Sequence, residues 1–180
     1  MIAVSRLCWN MLNGRTNGLK LQPVTGKLTE WIVMNEDRFP EFIWGLPEDA
    51  NQSSRGLYDI SADKIYVNAY ATDEIEIGHT VFHELIHSTV HSSRLDLQED
   101  FSGTHRNHYK TSFNNFDNFN PTAYEECVAE IGASMLMILI CETAWEQHTV
   151  DYTKIKMEHL HETAKPAIMK DALEAVEWLL

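Results

Sequence analysis

The chain has 180 residues, 44% of them hydrophobic, and carries 27 acidic against 14 basic side chains, a formal charge of −13. That length and apolar content allow one substantial core and exclude an intrinsically disordered chain. The acidic balance repels a phosphate backbone, which argues against direct nucleic-acid binding and leaves a basic protein partner open.

The start, Met1-Ile2-Ala3-Val4-Ser5-Arg6-Leu7-Cys8-Trp9, lacks the sustained apolar stretch of a secretion signal, and a helix is expected over 4–12. An irregular stretch with Gly14, Gly18, Pro23 and Gly26 follows. Residues 30–34 fit strand or helix, and Phe39-Pro40-Glu41-Phe42-Ile43-Trp44 reads as aromatic packing on the core. Gly56-Leu57-Tyr58-Asp59-Ile60 and Ile65-Tyr66-Val67-Asn68 flank a polar turn, the pattern of a hairpin. Such a hairpin either covers the core or offers an edge to an extended peptide.

A helix is expected over 73–91, with Thr72 or Asp73 as its cap and Glu74 and Glu76 suited to its positive end. Residues 92–121 form a long polar segment, expected to be functional or mobile. Pro121 opens a second helix over 123–141, nearly continuously apolar from Ile131 to Ile140 and therefore central and buried. That apolar run is too short to cross a bilayer. Two further helices are expected over 153–163 and 166–180. Cys8, Cys127 and Cys141 are odd in number and form no CxxC pair, so they read as buried, reduced thiols of a cytoplasmic protein.

The chemistry concentrates in His83-Glu84-Leu85-Ile86-His87. Histidines four apart on a helix share a face, so their rings can converge on one tetrahedral zinc ion. Glu84 stands beside the first ligand, placed to take a proton from the attacking water. His79, His83, His87 and His91 form a stripe at every fourth position, but only the His83/His87 register encloses a glutamate after its first member. His79 is expected to pack or hydrogen-bond, and His91 to contact substrate or cap the helix end. The longer HExxHxxGxxH pattern is excluded, because Val90 and Ser93 stand at its last two fixed positions.

A catalytic zinc takes three protein ligands and one open position. Glu126 and Glu130 lie four apart in Tyr124-Glu125-Glu126-Cys127-Val128-Ala129-Glu130-Ile131-Gly132-Ala133, and carboxylates on so apolar a helix are costly unless paired. Glu126 is assigned to the metal and Glu130 to a hydrogen bond that orients a ligand histidine, with the reverse assignment left open. Glu125 points about 100° away, towards solvent. Ala129, Gly132 and Ala133 let the two helices approach closely. Tyr124, His91, His105 and His108 are the candidates to contact substrate or a developing oxyanion.

These stretches, together with Ile65-Tyr66-Val67, Val81-Phe82, Ser88-Thr89-Val90-His91-Ser92-Ser93-Arg94-Leu95 and the tail containing Tyr152, Ala172, Ala175 and Trp178, resemble the zincin domain of ArdC-like antirestriction proteins and the related metallopeptidase domains of phage polyvalent proteins. The resemblance covers about residues 55–180. Residues 1–50 do not resemble that family's single-stranded-DNA-binding domain, Val90 replaces its usual glycine and Cys127 its usual leucine. It implies an α+β, zincin-like domain over 1–180, with a variable part at 1–50. In it a small twisted sheet or hairpin packs on the HExxH helix and a buried second helix, followed by C-terminal helices. The implied activity is zinc-dependent peptide hydrolysis of an unknown protein by a phage or mobile-element accessory protein in the host cytoplasm. The competing expectation is a non-enzymatic acidic antirestriction or inhibitor module, with structural zinc, that binds a basic host protein.

Overall fold

A computed structural model describes residues 2–19, 24–68, 70, 73–90 and 120–180. Among these residues, six helices and a three-stranded sheet make an α+β fold: α1 (Ile2–Leu12), α2 (Thr25–Met34), β1 (Glu41–Trp44), β2 (Gly56–Asp59), β3 (Lys64–Val67), α3 (Glu74–Ser88), α4 (Pro121–Cys141), α5 (Glu146–Met157) and α6 (Lys165–Leu179). Short 3-10 turns at Glu36–Arg38 and Glu162–Ala164 join neighbours. No helix among the described residues is long and apolar enough to cross a membrane.

The expected hairpin is β2 and β3, paired antiparallel with Tyr58 opposite Ile65. Its turn is knotted by Asp59, whose Oδ1 accepts from the Ser61 amide at 2.8 Å and the Ala62 amide at 3.1 Å. The sheet order is β1-β3-β2, and β1 runs parallel to β3 with Phe42 opposite Ile65. The aromatic run around Phe42 is thus a strand as well as packing material. Residues 30–34, undecided from periodicity, belong to α2, where Trp31 packs at a tilt on Phe39 with ring centroids 4.8 Å apart and meets Phe82 edge-on at 5.5 Å.

Asp73 caps α3 by accepting from the amides of Ile75 and Glu76, and Glu74 and Glu76 follow in the positive first turn. The helix ends at Ser88, short of the expected 91, and Thr89 turns back to donate to the Ile86 carbonyl at 2.7 Å. Asn120 caps α4 by accepting from the Ala123 amide, and Pro121 occupies the first turn where it costs no hydrogen bond. With buried residues on every face, α4 is the central post, packed against α1, α2, α3, α5 and α6.

Among the described residues, the contact between α3 and α4 is the most extensive. Gly132 makes it possible: a Cβ there would stand 2.7 Å from Cδ1 of Ile86. The α5 helix starts at Glu146, well before the expected 153. Its buried face is Glu146, Thr149, Val150 and Thr153, largely polar, so no apolar stripe marks it in the sequence. The buried Glu146 carboxylate instead accepts from the amides of Asn17 at 2.8 Å and Leu19 at 3.0 Å, tying the helix start to the loop after α1.

Candidate metal centre

The α3 helix forms the floor of a cleft of about 730 Å³, with β2 along one side, the start of α4 beneath and α5 opposite. On this floor Nε2 of His83 and Nε2 of His87 stand 3.2 Å apart. Across from them the Glu126 carboxylate presents Oε2 at 3.9 Å from His83 and Oε1 at 3.7 Å from His87. Two ligands of a tetrahedral zinc lie about 3.3 Å apart, given bonds of about 2.0–2.1 Å. The nitrogen pair already has that spacing, and a small turn of the Glu126 side chain closes the remainder. The donor set, two imidazoles and one carboxylate, suits zinc.

The far side of the His83 ring also obeys the rule for a metal-ligating histidine, since Nδ1 faces Oε2 of Glu130 at 3.3 Å. Glu130 is 1% exposed. Burial alone would raise its pKa, but the interactions with His79 and then with His83 outweigh burial and hold it well below the usual value. Its Oε1 accepts from Nε2 of His79 at 2.9 Å and from the Thr149 hydroxyl at 2.8 Å, and Ser134 lies 2.8 Å behind Thr149. Burial pulls the His83 pKa down, yet the Glu130 bond and the charges of Glu84, Glu130 and Glu126 together leave it raised.

Glu84 is 7% exposed and points into the cleft beneath β2. Burial pushes its pKa up to about 7; His83 opposes the rise, Glu126 adds to it, and a hydrogen bond from the Tyr58 amide opposes it. The strand comes this close because residue 56 is glycine, where a Cβ would lie 2.7 Å from Thr80 Cγ2 and 3.0 Å from the Glu84 carboxylate. The result is a buried carboxyl with a pKa near neutrality beside two converging imidazoles, a setting for proton transfer.

Three residues of α5 outside the HExxH and glutamate motifs also face the site. Tyr152 donates its hydroxyl to Oε2 of Glu126, and burial, with that carboxylate, pushes its pKa far up, so it remains a donor. Lys156 brings Nζ within 3.6 Å of the same oxygen. His148 stacks on Trp145 with ring centroids 4.0 Å apart, and burial lowers its pKa to about 4, against the raising effect of Glu130. Arg55, paired with Glu76, lies over the other end of this wall, 5.2 Å from the Trp145 ring. The signal was present in outline: His148, Tyr152 and Lys156 recur at every fourth position, a stripe that shows once the helix is started at residue 146.

Among the expected contacts, Tyr124 does not line the cleft. It is 1% exposed and donates to Oδ2 of buried Asp171 at 2.8 Å, joining α4 to α6. Glu125, expected in solvent, lines the cleft. His79 hydrogen-bonds in the core, as expected. His91, His105, His108, Thr72 and the polar segment as far as residue 119 lie outside the described residues. The three cysteines are free and buried. Comparison with protein-family profiles, curated proteins and solved structures returns no match.

Proposed function

We propose that this chain is a zincin-like, zinc-dependent peptidase in which His83, His87 and Glu126 hold the metal and Glu84 is the general base. The observation that carries the reading is the convergence of those three donors at one point of a cleft whose floor also presents Glu84. Bound there, zinc supplies a Lewis acid that polarises the scissile carbonyl and makes water acidic. Glu84 accepts the proton of the attacking water and returns it to the leaving amine, so its charge is restored each turnover. A pKa near neutrality suits both halves of that task.

Glu130 holds the His83 ring by accepting from Nδ1, which leaves Nε2 directed into the cleft. Tyr152, protonated and aimed at the Glu126 carboxylate, is a donor at the site able to stabilise negative charge developing on the carbonyl oxygen. Among the described residues the β2 strand is at the sheet edge, and extended peptide laid against it passes over Glu84. The likeness of these motifs to ArdC-like zincin domains agrees with this reading, as do three buried free thiols with a reducing cytoplasm.

The test pairs elemental analysis with cleavage of a random peptide library read by mass spectrometry. Wild type is expected to hold one zinc per chain and to cleave. Glu84→Gln should keep the zinc and lose at least about 10²-fold in rate, whereas Glu126→Ala should lose both. Cleavage undiminished in Glu84→Gln, or zinc uptake unchanged in Glu126→Ala, would refute the assignment. Zinc held without any cleavage would leave the acidic binding module.

A further inference from the structure

The Glu130 carboxylate is shared between two groups of side chains. One is the His83 face of the metal centre; the other is His79, Glu130 and His148, whose nearest donor atoms also lie within 4.8 Å of one another. Such a triad could be a second cation site or a hydrogen-bonded support, and the His79 ring decides between them. A histidine that binds metal through Nε2 carries its proton on Nδ1, and that N–H needs an acceptor. The Nδ1 atom of His79 is buried without a hydrogen-bond partner, so metal at Nε2 would strand a donor in the core. With the proton on Nε2, His79 donates to Glu130 at 2.9 Å and Nδ1 is a bare acceptor, the cheaper arrangement. His83 is the contrary case, because its Nδ1 has Glu130 at 3.3 Å.

We propose that His79 is a positioning residue: by holding Oε1 of Glu130 it aims Oε2 at the His83 ring and so sets how tightly the site grips its metal. The inference rests on the zinc reading of His83, His87 and Glu126. Both partners are almost fully buried, His79 at 3% and Glu130 at 1% exposure, so water does not replace a lost bond freely. Thr149 also holds Oε1, at 2.8 Å, but a hydroxyl from one side leaves the carboxylate free to pivot. Nε2 of His148, 3.8 Å from Oε1, is the polar atom towards which it would turn. His79 bonds Oε1 from α3 while Thr149 bonds it from α5, and the two together remove the pivot.

The experiment measures zinc affinity by chelator competition, together with the visible absorption of the cobalt-substituted protein, in wild type, His79→Leu and His79→Gln. The glutamine amide can place a donor where Nε2 stands. Expected are zinc binding weakened about tenfold in His79→Leu, the lower end for loss of a ligand-supporting partner, with a shifted cobalt spectrum, and recovery of both in His79→Gln. Equal affinity and spectrum in wild type and His79→Leu would overturn the proposal, as would a His79→Gln protein no better than His79→Leu. If His79→Leu does not fold, His79→Asn serves in its place, since its amide is one methylene too short to reach Glu130. Two zinc ions per wild-type chain, one of them lost in His148→Ala, would assign the triad to a second metal and overturn it. Wild type without zinc fails the metal reading itself, whereas zinc held equally well by wild type and His79→Leu fails this proposal alone.

Discussion

Replacing Gly132 by alanine tests whether the two site-bearing helices are held at a distance that only glycine permits. The added Cβ would meet Ile86 at three atoms, 2.7 Å from Cδ1, 2.8 Å from Cγ1 and 3.3 Å from Cγ2. Ordinary carbon contacts lie at about 3.5–4.0 Å, so about 1 Å of overlap has to be relieved. Ile86 is fully buried, and because both γ carbons are involved as well as the terminal methyl, rotation about χ2 alone does not clear the clash. Overpacking of this kind costs about 1–3 kcal/mol, while alanine in place of glycine gains about 1 kcal/mol of helix propensity. A net loss of up to about 2 kcal/mol is expected, read as a lower midpoint in urea with a chelator present. Ile86→Ala alone should cost about 2–5 kcal/mol. Combined with Gly132→Ala it should cost less than the sum by at least about 1 kcal/mol, because the new methyl enters the space vacated. A Gly132→Ala protein more stable than wild type, with the double variant additive, would refute the close-contact argument.

His148 predicts an acid-dependent stability. Its pKa is near 4 in the fold against the usual 6.5, so between those values the unfolded chain binds a proton that the folded chain does not. Stability is therefore complete above about pH 6.5 and declines as the pH falls towards 4, by an amount on the order of 2 kcal/mol after allowance for the partly solvated ring. Denaturation of chelated protein at pH 7, 6 and 5 should show this decline, reduced in His148→Phe, which keeps the stacking on Trp145; an identical decline in both would contradict it. Tyr124→Phe should cost about 1–3 kcal/mol by depriving buried Asp171 of a donor, with zinc content and cleavage rate unchanged. Lost cleavage at unchanged stability would return Tyr124 to the active site.

Much of this was legible because it rests on local spacing. Histidines four apart, a glutamate after the first of them, Asp73 before an apolar period, Pro121 at a helix start and a polar turn between two β-prone runs each act within a few residues of themselves. The same logic placed Glu126 and Glu130 on one helical face, and the small Gly132 suggested the close crossing that the fold displays. Tyr124 shows where the logic stops. It stands directly before the glutamates of that motif, yet its side chain leaves the helix towards Asp171, 47 residues away, and takes no part in the cleft.

What the sequence determined by itself is therefore the two central helices, the hairpin and the grouping of His83, Glu84, His87, Glu126 and Glu130, because helical and strand periods set which neighbours share a face. Only the tertiary structure decided that β1 pairs parallel with β3, that α5 begins at a buried Glu146 bonded to an amide 129 positions earlier, and that His148, Tyr152 and Arg55 face the cleft. Those choices depend on contacts between segments far apart in the chain, and on a polar buried face that carries no periodic apolar signal.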